Sequence, residues 1–188
     1  MSDQKLFVEK LKLNDPQAFN TLVDQNNERI YNICYGFLRN KEDAEDAAQE
    51  VFIEIHRNIS TFREESSLTT WMHRIAVNRS LNVLRKNKIR HFFDSMEQIV
   101  LLNKKEPNSN SDPYFELNQK ELAKQIQNAI NKLPKNQNIA FTLHNYNNLS
   151  YAQIAEIMNN SLSSVESLIH RAKTNLKKSL KDINTQKP

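Results

Sequence analysis

The stretch from Leu149 to Leu180 constrains the fold more than any other part of this 188-residue chain. Its apolar residues form two series at helical spacing: Ile154, Ala155 and Met158, then Val165, Ile169, Ala172 and Leu176. Asn159-Asn160-Ser161 interrupts the period between them. Two helices that cross after so short a turn need a small residue at the crossing, here Ala155, and a turn residue that tolerates positive φ, here Asn159. The pattern therefore predicts a helix-turn-helix.

The second helix of this pair has a basic face. Ser161 or Ser163 can cap its N-terminus, and Ser163 with Glu166 three residues later fits a capping box. Basic and histidine side chains follow, with no acid between Glu166 and Asp182: His170, Arg171, Lys173, Lys177 and Lys178. Such a face can lie along a phosphate backbone. Cations near a helix C-terminus also suit the helix dipole, so an ordinary helical hairpin remains the alternative.

Composition excludes several classes of protein. Gly36 is the only glycine, whereas phosphate-cradling loops and dinucleotide folds need several, so a nucleotide-dependent enzyme is not expected. Cys34 is the only cysteine, which excludes an intrachain disulfide, and its apolar neighbours indicate a core thiol. No apolar run has the length of a membrane span, and the first residues lack the apolar stretch of a signal peptide. We therefore expect a soluble, cytoplasmic protein with no membrane insertion.

An acidic helix is predicted in the first half of the chain. Asp15 caps an earlier helix that has Pro16 at its first position, and Asn40 or Asp43 begins the acidic one. Its outer surface carries six carboxylates: Glu42, Asp43, Glu45, Asp46, Glu50 and Glu54. Acids in a first turn suit the dipole, but these acids extend well beyond it. The surface is either a contact for a basic protein partner or an ordinary solvated face.

A basic helix is predicted from about Leu68 to Arg90. It carries cations with no intervening acid: Arg74, Arg79, Arg85, Lys86, Lys88 and Arg90. Phe62 precedes this stripe and Trp71 lies within it. Aromatic residues among cations suit single-stranded nucleic acid, because bases stack on the rings while the cations follow the backbone. Trp71 can equally belong to the core.

Helical periodicity fades between His91 and Tyr114 and resumes near Glu116, in a helix that Pro134 ends. The expected fold is all-α, with two small helical domains joined by a flexible linker and the helix-turn-helix in the second domain. The expected boundaries are 1–90 for the first domain, 91–115 for the linker and 116–188 for the second domain.

Four stretches together resemble the extracytoplasmic-function (ECF) sigma factors of bacterial RNA polymerase. In chain order they are DAEDAAQEVF, TFREESSLTTWMHRIAVNRSLNVLRK, INKLPKNQNIAFTLHNYNNLSYAQIAEI and SSVESLIHRAK. The resemblance extends roughly from Phe19 to Leu180 and is more specific than a helix-turn-helix alone. It implies an initiation factor that binds core RNA polymerase and promoter DNA, with no catalytic residue, metal or cofactor of its own.

The resemblance also implies residue roles. One set would dock on the clamp helices of the polymerase β′ subunit: Asp43, Asp46, Gln49, Glu50 and Phe52. A second set would recognise and open the minus-ten promoter element: Phe62, Arg63, Trp71, Arg74, Asn78, Arg79, Arg85 and Lys86. A third would recognise the minus-thirty-five element in the major groove: Ser163, Ser164, Glu166, Ser167, His170, Arg171 and Lys173. Leu133 to Asn148 would lie against the β flap. An anti-sigma factor, which many relatives have, is a further partner that the resemblance leaves open.

Several positions depart from the family pattern. Asn159 and Glu64 replace glycines that the family usually has in the helix-turn-helix bend and in the loop after the acidic helix. Glu166 stands where the family commonly has Lys or Arg, and it can either accept a hydrogen bond from a cytosine amino group or serve as the capping-box acid. In the flap-facing segment, Asn138 and His144 stand where basic residues are common.

Two other functions compete with this one. A stand-alone helix-turn-helix regulator would bind DNA without polymerase, so its acidic helix would have no partner. A metal-dependent hydrolase would need ligands at paired spacing, whereas the histidines are scattered: His56, His73, His91, His144 and His170.

Overall fold

The computed structural model describes residues 3–100, 122–123 and 125–185, except the side chains of residues 4, 90–100 and 182–185. The first group of helices comprises α1 (Asp3–Lys12), α2 (Pro16–Leu38), α3 (Lys41–Asn58), a 3-10 helix (Ile59–Thr61) and α4 (Leu68–Val100). The second group comprises a helical segment at 125–131, α5 (Lys135–Asn145), α6 (Tyr151–Met158) and α7 (Leu162–Thr185). No strand occurs within the described ranges. The expected all-α fold is confirmed.

The predicted end of α4 near Arg90 is wrong, because α4 continues to Val100. No glycine or proline lies between Arg90 and Val100, so weak periodicity there was not a stop signal. The remainder of the expected linker, residues 101–115, lies outside the described residues, as does the expected helix start near Glu116.

Helix starts in the first group follow local hydrogen bonding. The Asp15 carboxylate accepts bonds from the backbone N–H groups of Gln17 (2.8 Å) and Ala18 (3.2 Å), and Pro16 occupies the first helical position. At α3, the Asn40 side chain accepts a bond from the Asp43 N–H at 2.9 Å. Both caps satisfy N–H groups that have no partner within the helix. The prediction of Asp15 is confirmed, and Asn40 rather than Asp43 caps the acidic helix.

The first group packs around α2. Ile30 and Cys34 of α2, Val51 and Ile55 of α3 and Met72 of α4 are at most 1% exposed. The expectation of a core thiol is therefore confirmed, and burial raises the pKa of Cys34. A buried thiol with a raised pKa has little thiolate and is unreactive.

The buried apolar cluster does not end with the first group. It continues through Leu143 of α5, Ile154 of α6 and Ile169 of α7, each at most 1% exposed. A smaller cluster joins the segment 125–131 to the C-terminal half of α7 through Ile130 and Leu176. The two groups of helices therefore share one continuous core in this arrangement.

His73 on α4 makes stability depend on pH. The residue is 8% exposed, and its Nε2 is buried without a hydrogen-bond partner in the described part of the chain. Burial, reinforced by the charge of Arg29, lowers the pKa of His73 from 6.5 to about 4. The folded state therefore holds the ring neutral at pH values where the unfolded chain would already take up a proton.

We predict that the His73 contribution to stability is fully present above pH 6.5 and is lost as the pH falls toward 4. In His73→Leu, which cannot titrate at this position, the free energy of unfolding should fall less steeply between these pH values. Denaturant unfolding followed by circular dichroism measures the difference. Equal slopes in the two proteins would contradict the assignment.

Candidate nucleic-acid interface

The turn between α6 and α7 has the geometry expected of a helix-turn-helix. Asn159 ends α6 in the left-handed region, at φ 52° and ψ 51°. Its N–H bonds to the Glu156 carbonyl at 3.2 Å, and the next N–H, of Asn160, bonds to the Ala155 carbonyl at 2.9 Å. These bonds satisfy carbonyls that a helix end leaves open. The prediction that Asn159 has positive φ is confirmed, and Ala155 is buried at 9% exposure.

The predicted capping box at Ser163 is wrong. The Ser161 hydroxyl accepts a bond from the Ser164 N–H at 3.2 Å, and the Val165 N–H bonds to the Ser161 carbonyl at 3.1 Å. Ser161 is therefore the cap, and Ser163 already lies in the first turn of α7. A capping box does occur before α6, between Ser150 and Gln153.

The exposed face of α7 carries the predicted minus-thirty-five residues. Only Ser164 among them is half-buried, and the others are exposed: Ser163, Glu166, Ser167, His170, Arg171 and Lys173. The opposite side of the helix is buried through Val165, Ile169 and Ala172. Glu166, now free of the capping-box role, lines a shallow depression with Ser167, His170 and Arg171. The helix thus presents one polar face while its apolar face holds it on α6.

The acidic helix α3 presents a continuous stripe. Asp46, Gln49 and Glu50 are exposed, and Ile53 follows them at helical spacing with 49% exposure. Ile53 was not predicted from the sequence as part of this surface. Its helical spacing from Asp46, Gln49 and Glu50 was the signal that could have identified it. We call Asp46, Gln49, Glu50 and Ile53 the acidic stripe.

Two other residues predicted on the polymerase contact lie differently. Asp43 is half-buried and accepts a hydrogen bond from Asn87 of α4 at 3.0 Å. Phe52 is 7% exposed and packs in the core. Phe52 therefore anchors α3 in the core, and Asp43 links α3 to α4 through its hydrogen bond with Asn87.

The predicted minus-ten residues divide between surface and core. Several are exposed: Arg63, Asn78, Arg85 and Lys86. Arg79 forms an ion pair with Glu50, which joins a predicted DNA residue to a predicted polymerase residue. Phe62 is 6% exposed, and its ring lies 5.2 Å from that of the half-buried Trp71, tilted by 42°. Trp71 therefore contacts the core and keeps part of its ring accessible.

Arg74 binds the second group of helices. Its Nη2 donates to the Glu156 carbonyl at 2.7 Å and its Nε to the Ile157 carbonyl at 3.2 Å. The Thr70 hydroxyl donates to the Glu156 carboxylate at 3.1 Å. The guanidinium therefore lies at the C-terminus of α6, where a cation suits the helix dipole.

A groove between α5 and α7 has a volume of about 460 Å³ and an apolar floor edged by lysines. Its lining residues are Phe141, Lys173, Leu176, Lys177, Leu180 and Lys181. Asn138 does not contribute to this surface, because it is buried and donates to the Ile130 carbonyl at 2.7 Å. The His144 ring is half-buried and lies 3.2 Å from the Leu149 carbonyl.

Across the described residues, no three His, Cys, Asp or Glu side chains are grouped as a metal site requires. A search of the same residues for a helix both long and apolar enough to cross a membrane finds none.

Comparison with known proteins identifies the family. The model of sigma-70 region 2 matches residues 22–89, and that of sigma-70 region 4 matches residues 123–176. The ECF RNA polymerase sigma factor SigW of Bacillus subtilis strain 168 is 32% identical over 185 residues, which cover 94% of this chain and 96% of SigW. The chain belongs to the ECF sigma factors. The ECF RNA polymerase sigma-E factor of Escherichia coli strain K12 is 31% identical over 176 residues, covering 92% of this chain and 91% of that protein.

Solved structures share the fold of this sigma factor. CnrH, in complex with the cytosolic domain of CnrY, aligns with a TM-score of 0.64 at 18% identity, over 97% of this chain and 99% of CnrH. RpoE of Bartonella quintana, in complex with the anti-sigma factor NepR, aligns with a TM-score of 0.55 at 21% identity, over 87% of this chain and 96% of RpoE. The predicted family and all-α fold class are therefore both confirmed.

Replacing Asn159 should test the bend of the helix-turn-helix. Asn159→Val places a β-branched residue in the left-handed region and should lower the free energy of unfolding by about 1–2 kcal/mol, whereas Asn159→Gly should be neutral or stabilising. The neighbouring exposed Asn160 does not have positive φ, so Asn160→Val is the matched control. Thermal unfolding followed by circular dichroism compares the four proteins. A loss in the control as large as that in Asn159→Val would rule out backbone strain as the cause.

Proposed function

We propose that this ECF sigma factor binds core RNA polymerase, recognises promoter DNA through two separate surfaces and helps to open it for transcription initiation. The observation that carries the proposal is the separation of charge: the acidic stripe lies on α3, and the exposed basic residues lie on α4 and α7. A basic surface of a protein partner attracts acidic residues, whereas a DNA phosphate backbone attracts basic residues. The two kinds of partner therefore need separate faces of the chain. The polymerase performs the chemistry, and no residue of this chain is assigned a catalytic role.

The acidic stripe is the proposed contact with the clamp helices of the β′ subunit. Exposed carboxylates favour a basic partner and steer it into place. Ile53 supplies an apolar centre that an interface can desolvate, with Asp46 and Glu50 beside it as polar rim. Asp43 and Phe52 act indirectly in this proposal, because they fix α3 to α4 and to the core.

The minus-ten element is proposed to bind along α4 and the loop before it. Arg63, Asn78, Arg85 and Lys86 are exposed where they can contact phosphates and splayed bases. The accessible part of the Trp71 ring offers a surface for stacking. Stacking of an extruded base on this ring would offset the cost of unstacking the base from the duplex, which is a few kcal/mol.

The minus-thirty-five element is proposed to receive α7 in the major groove. Residues at the N-terminal end of a recognition helix contact base edges, and later cations contact phosphates. Glu166 can accept a hydrogen bond from a cytosine amino group, since Ser161 rather than Ser163 caps the helix. Arg171 and Lys173 are the proposed phosphate contacts.

The remaining assignments follow from the same family resemblance. Residues 1–90 would form region 2, 91–115 the linker and 116–188 region 4. The groove between α5 and α7 would receive the β flap, because its apolar floor and lysine edge suit an amphipathic acidic segment. The protein would act where the polymerase acts, in the cytoplasm. An anti-sigma factor is a further proposed partner, as NepR is for RpoE of Bartonella quintana.

Introducing positive charge on the acidic stripe should weaken polymerase binding. Asp46→Arg with Gln49→Arg leaves the ion pair of Glu50 with Arg79 intact and should weaken binding to core polymerase at least tenfold. Asp24→Arg with Asn27→Arg is the control, because it also replaces an acid and an amide by arginine, at the same spacing on the exposed side of α2. Co-purification and run-off transcription with purified core enzyme measure the effect. Wild-type binding and transcription by the stripe variant would show that the stripe is not the polymerase contact, whereas failure of the wild-type chain itself to bind core polymerase would favour a stand-alone regulator.

Removing one proposed phosphate contact should change the salt dependence of promoter binding. Arg171→Ala should weaken binding to duplex DNA carrying a mapped minus-thirty-five element and reduce the slope of log K against log salt by about 1. Lys10→Ala on α1 is the control, because it removes another exposed cation that lies outside the proposed interface. Fluorescence anisotropy over a salt series gives both slopes. An unchanged slope in Arg171→Ala would remove this residue from the set of phosphate contacts.

A further inference from the structure

Leu162 is an exposed leucine at the first position of α7. It follows directly after the cap Ser161 and is 56% exposed. In the described part of the chain it belongs to neither apolar cluster, whereas Val165, three residues later, is fully buried in the larger one. The packing of α7 therefore covers Val165 and leaves the Leu162 side chain accessible. Burial in the core does not account for an apolar residue at this position.

The surroundings of Leu162 on α7 are polar. In residues 162–171, all of which the structure describes, it is the only exposed apolar side chain. Glu166, four residues later, is its neighbour on the helix surface and lines the shallow depression of this face. A single exposed leucine is ordinary on a protein surface. This one differs because it lies beside residues of the proposed minus-thirty-five interface.

The position of Leu162 in the helix directs its side chain toward the N-terminal end of α7. Cα–Cβ bonds in a helix tilt toward the N-terminus, so a side chain at the first position extends past the first turn. The N-terminal residues of a recognition helix are the ones that contact base edges. Docking of α7 in the major groove therefore brings Leu162 to the bases rather than to the phosphates.

The chemistry of the major groove restricts what a leucine can contact there. Base edges present hydrogen-bond donors and acceptors, and their one apolar group is the C5 methyl of thymine. A leucine placed over a donor or acceptor would remove water from it without replacing the hydrogen bond, which costs free energy. Against a methyl group, both surfaces leave water at a gain. Thymine is therefore the base that suits Leu162.

We propose that Leu162 is a specificity-determining residue that contacts the C5 methyl of a thymine in the minus-thirty-five element. The inference rests on the proposed function of α7 as the recognition helix. Residues four apart are separated by about 6 Å along a helix axis, and successive base pairs by about 3.4 Å. The thymine therefore lies within about two base pairs of the base that Glu166 contacts.

Replacing thymine by deoxyuridine tests the contact, because it removes only the C5 methyl and keeps every hydrogen-bonding group. The holoenzyme is assembled from the full chain and purified core polymerase, and its minus-thirty-five element is mapped from the start site and by base substitution. Each thymine of the element, on either strand, is then replaced singly in a promoter duplex. Fluorescence anisotropy measures the affinity of the holoenzyme for each duplex.

One replacement should weaken binding by the wild-type holoenzyme about fourfold, the effect expected from one buried methyl group. Leu162→Ala should bind the thymine and deoxyuridine duplexes equally. Because alanine is a good helix former and Leu162 packs in neither cluster, this variant should keep the fold, which circular dichroism checks. Leu162→Met keeps an apolar side chain of similar size and should retain the preference for thymine.

Leu13→Ala is the control, because Leu13 is an exposed leucine directly after α1, outside the proposed interfaces. It should keep the wild-type loss on the deoxyuridine duplex. The inference would be overturned by the absence of any loss with deoxyuridine, by an equal loss in wild type and Leu162→Ala, or by a mapped element without an A·T pair.

Start-site selection by the wild-type holoenzyme is measured first, on the unmodified promoter. Its absence would refute the proposed function and this inference with it. Intact start-site selection without a methyl effect would refute only the contact of Leu162 with thymine. The two failures are therefore distinguishable in the same set of samples.

Discussion

Burial of the apolar side of α2 is the interaction on which the rest of this structure depends. α2 contacts α1, α3 and α4 of the first group and also α5 of the second. Leu22, Ile30 and Phe37 are at most 1% exposed, and burying each such side chain contributes about 1.5–3 kcal/mol. The placement of the acidic stripe on α3 and of the basic residues on α4 follows from how these helices pack on α2. Both proposed interfaces therefore rely on the same core.

The contact between α3 and α4 brings opposite charges together as well as apolar side chains. Glu50 pairs with Arg79, and Asp43 accepts a bond from Asn87. In each pair one residue belongs to α3, which carries the proposed polymerase surface, and the other belongs to α4, the proposed DNA-binding helix. A partner that moves α3 would therefore also act on α4. The proposed polymerase surface and the proposed DNA-binding helix are thus joined directly by side-chain contacts.

Much of the fold was predictable because its determinants are local. The cap at Asp15 and the bend at Asn159 depend on residues within one helical turn, and both were recognised from sequence. The cap of α7 could not be decided from sequence, since Ser161 and Ser163 both satisfy the local pattern and only the path of the chain identifies Ser161 as the cap. The role of Arg74 could not be predicted at all, because its partners at Glu156 and Ile157 lie more than eighty residues away. Burial of Phe52 and Phe62 likewise depends on which helices pack together, which the family pattern does not report.

The backbone freedom of glycine is not what Gly36 contributes to this fold. Left-handed φ occurs in the described residues only at non-glycine positions: Asn14, Arg39, Glu64, Asn148 and Asn159. Glu64, at φ 59°, accepts this strain while its carboxylate pairs with Lys12 at 2.9 Å, which lowers the pKa of Glu64. Gly36 lies instead within the helix α2, where glycine costs about 1 kcal/mol relative to alanine and its freedom at positive φ is not used. A Cβ at Gly36 would lie 2.9 Å from the Oδ1 of Asn147, at the far end of a side chain that belongs to the other group of helices. Glycine therefore leaves room for the Asn147 side chain at a small cost to α2, and a larger residue here would require that side chain to move.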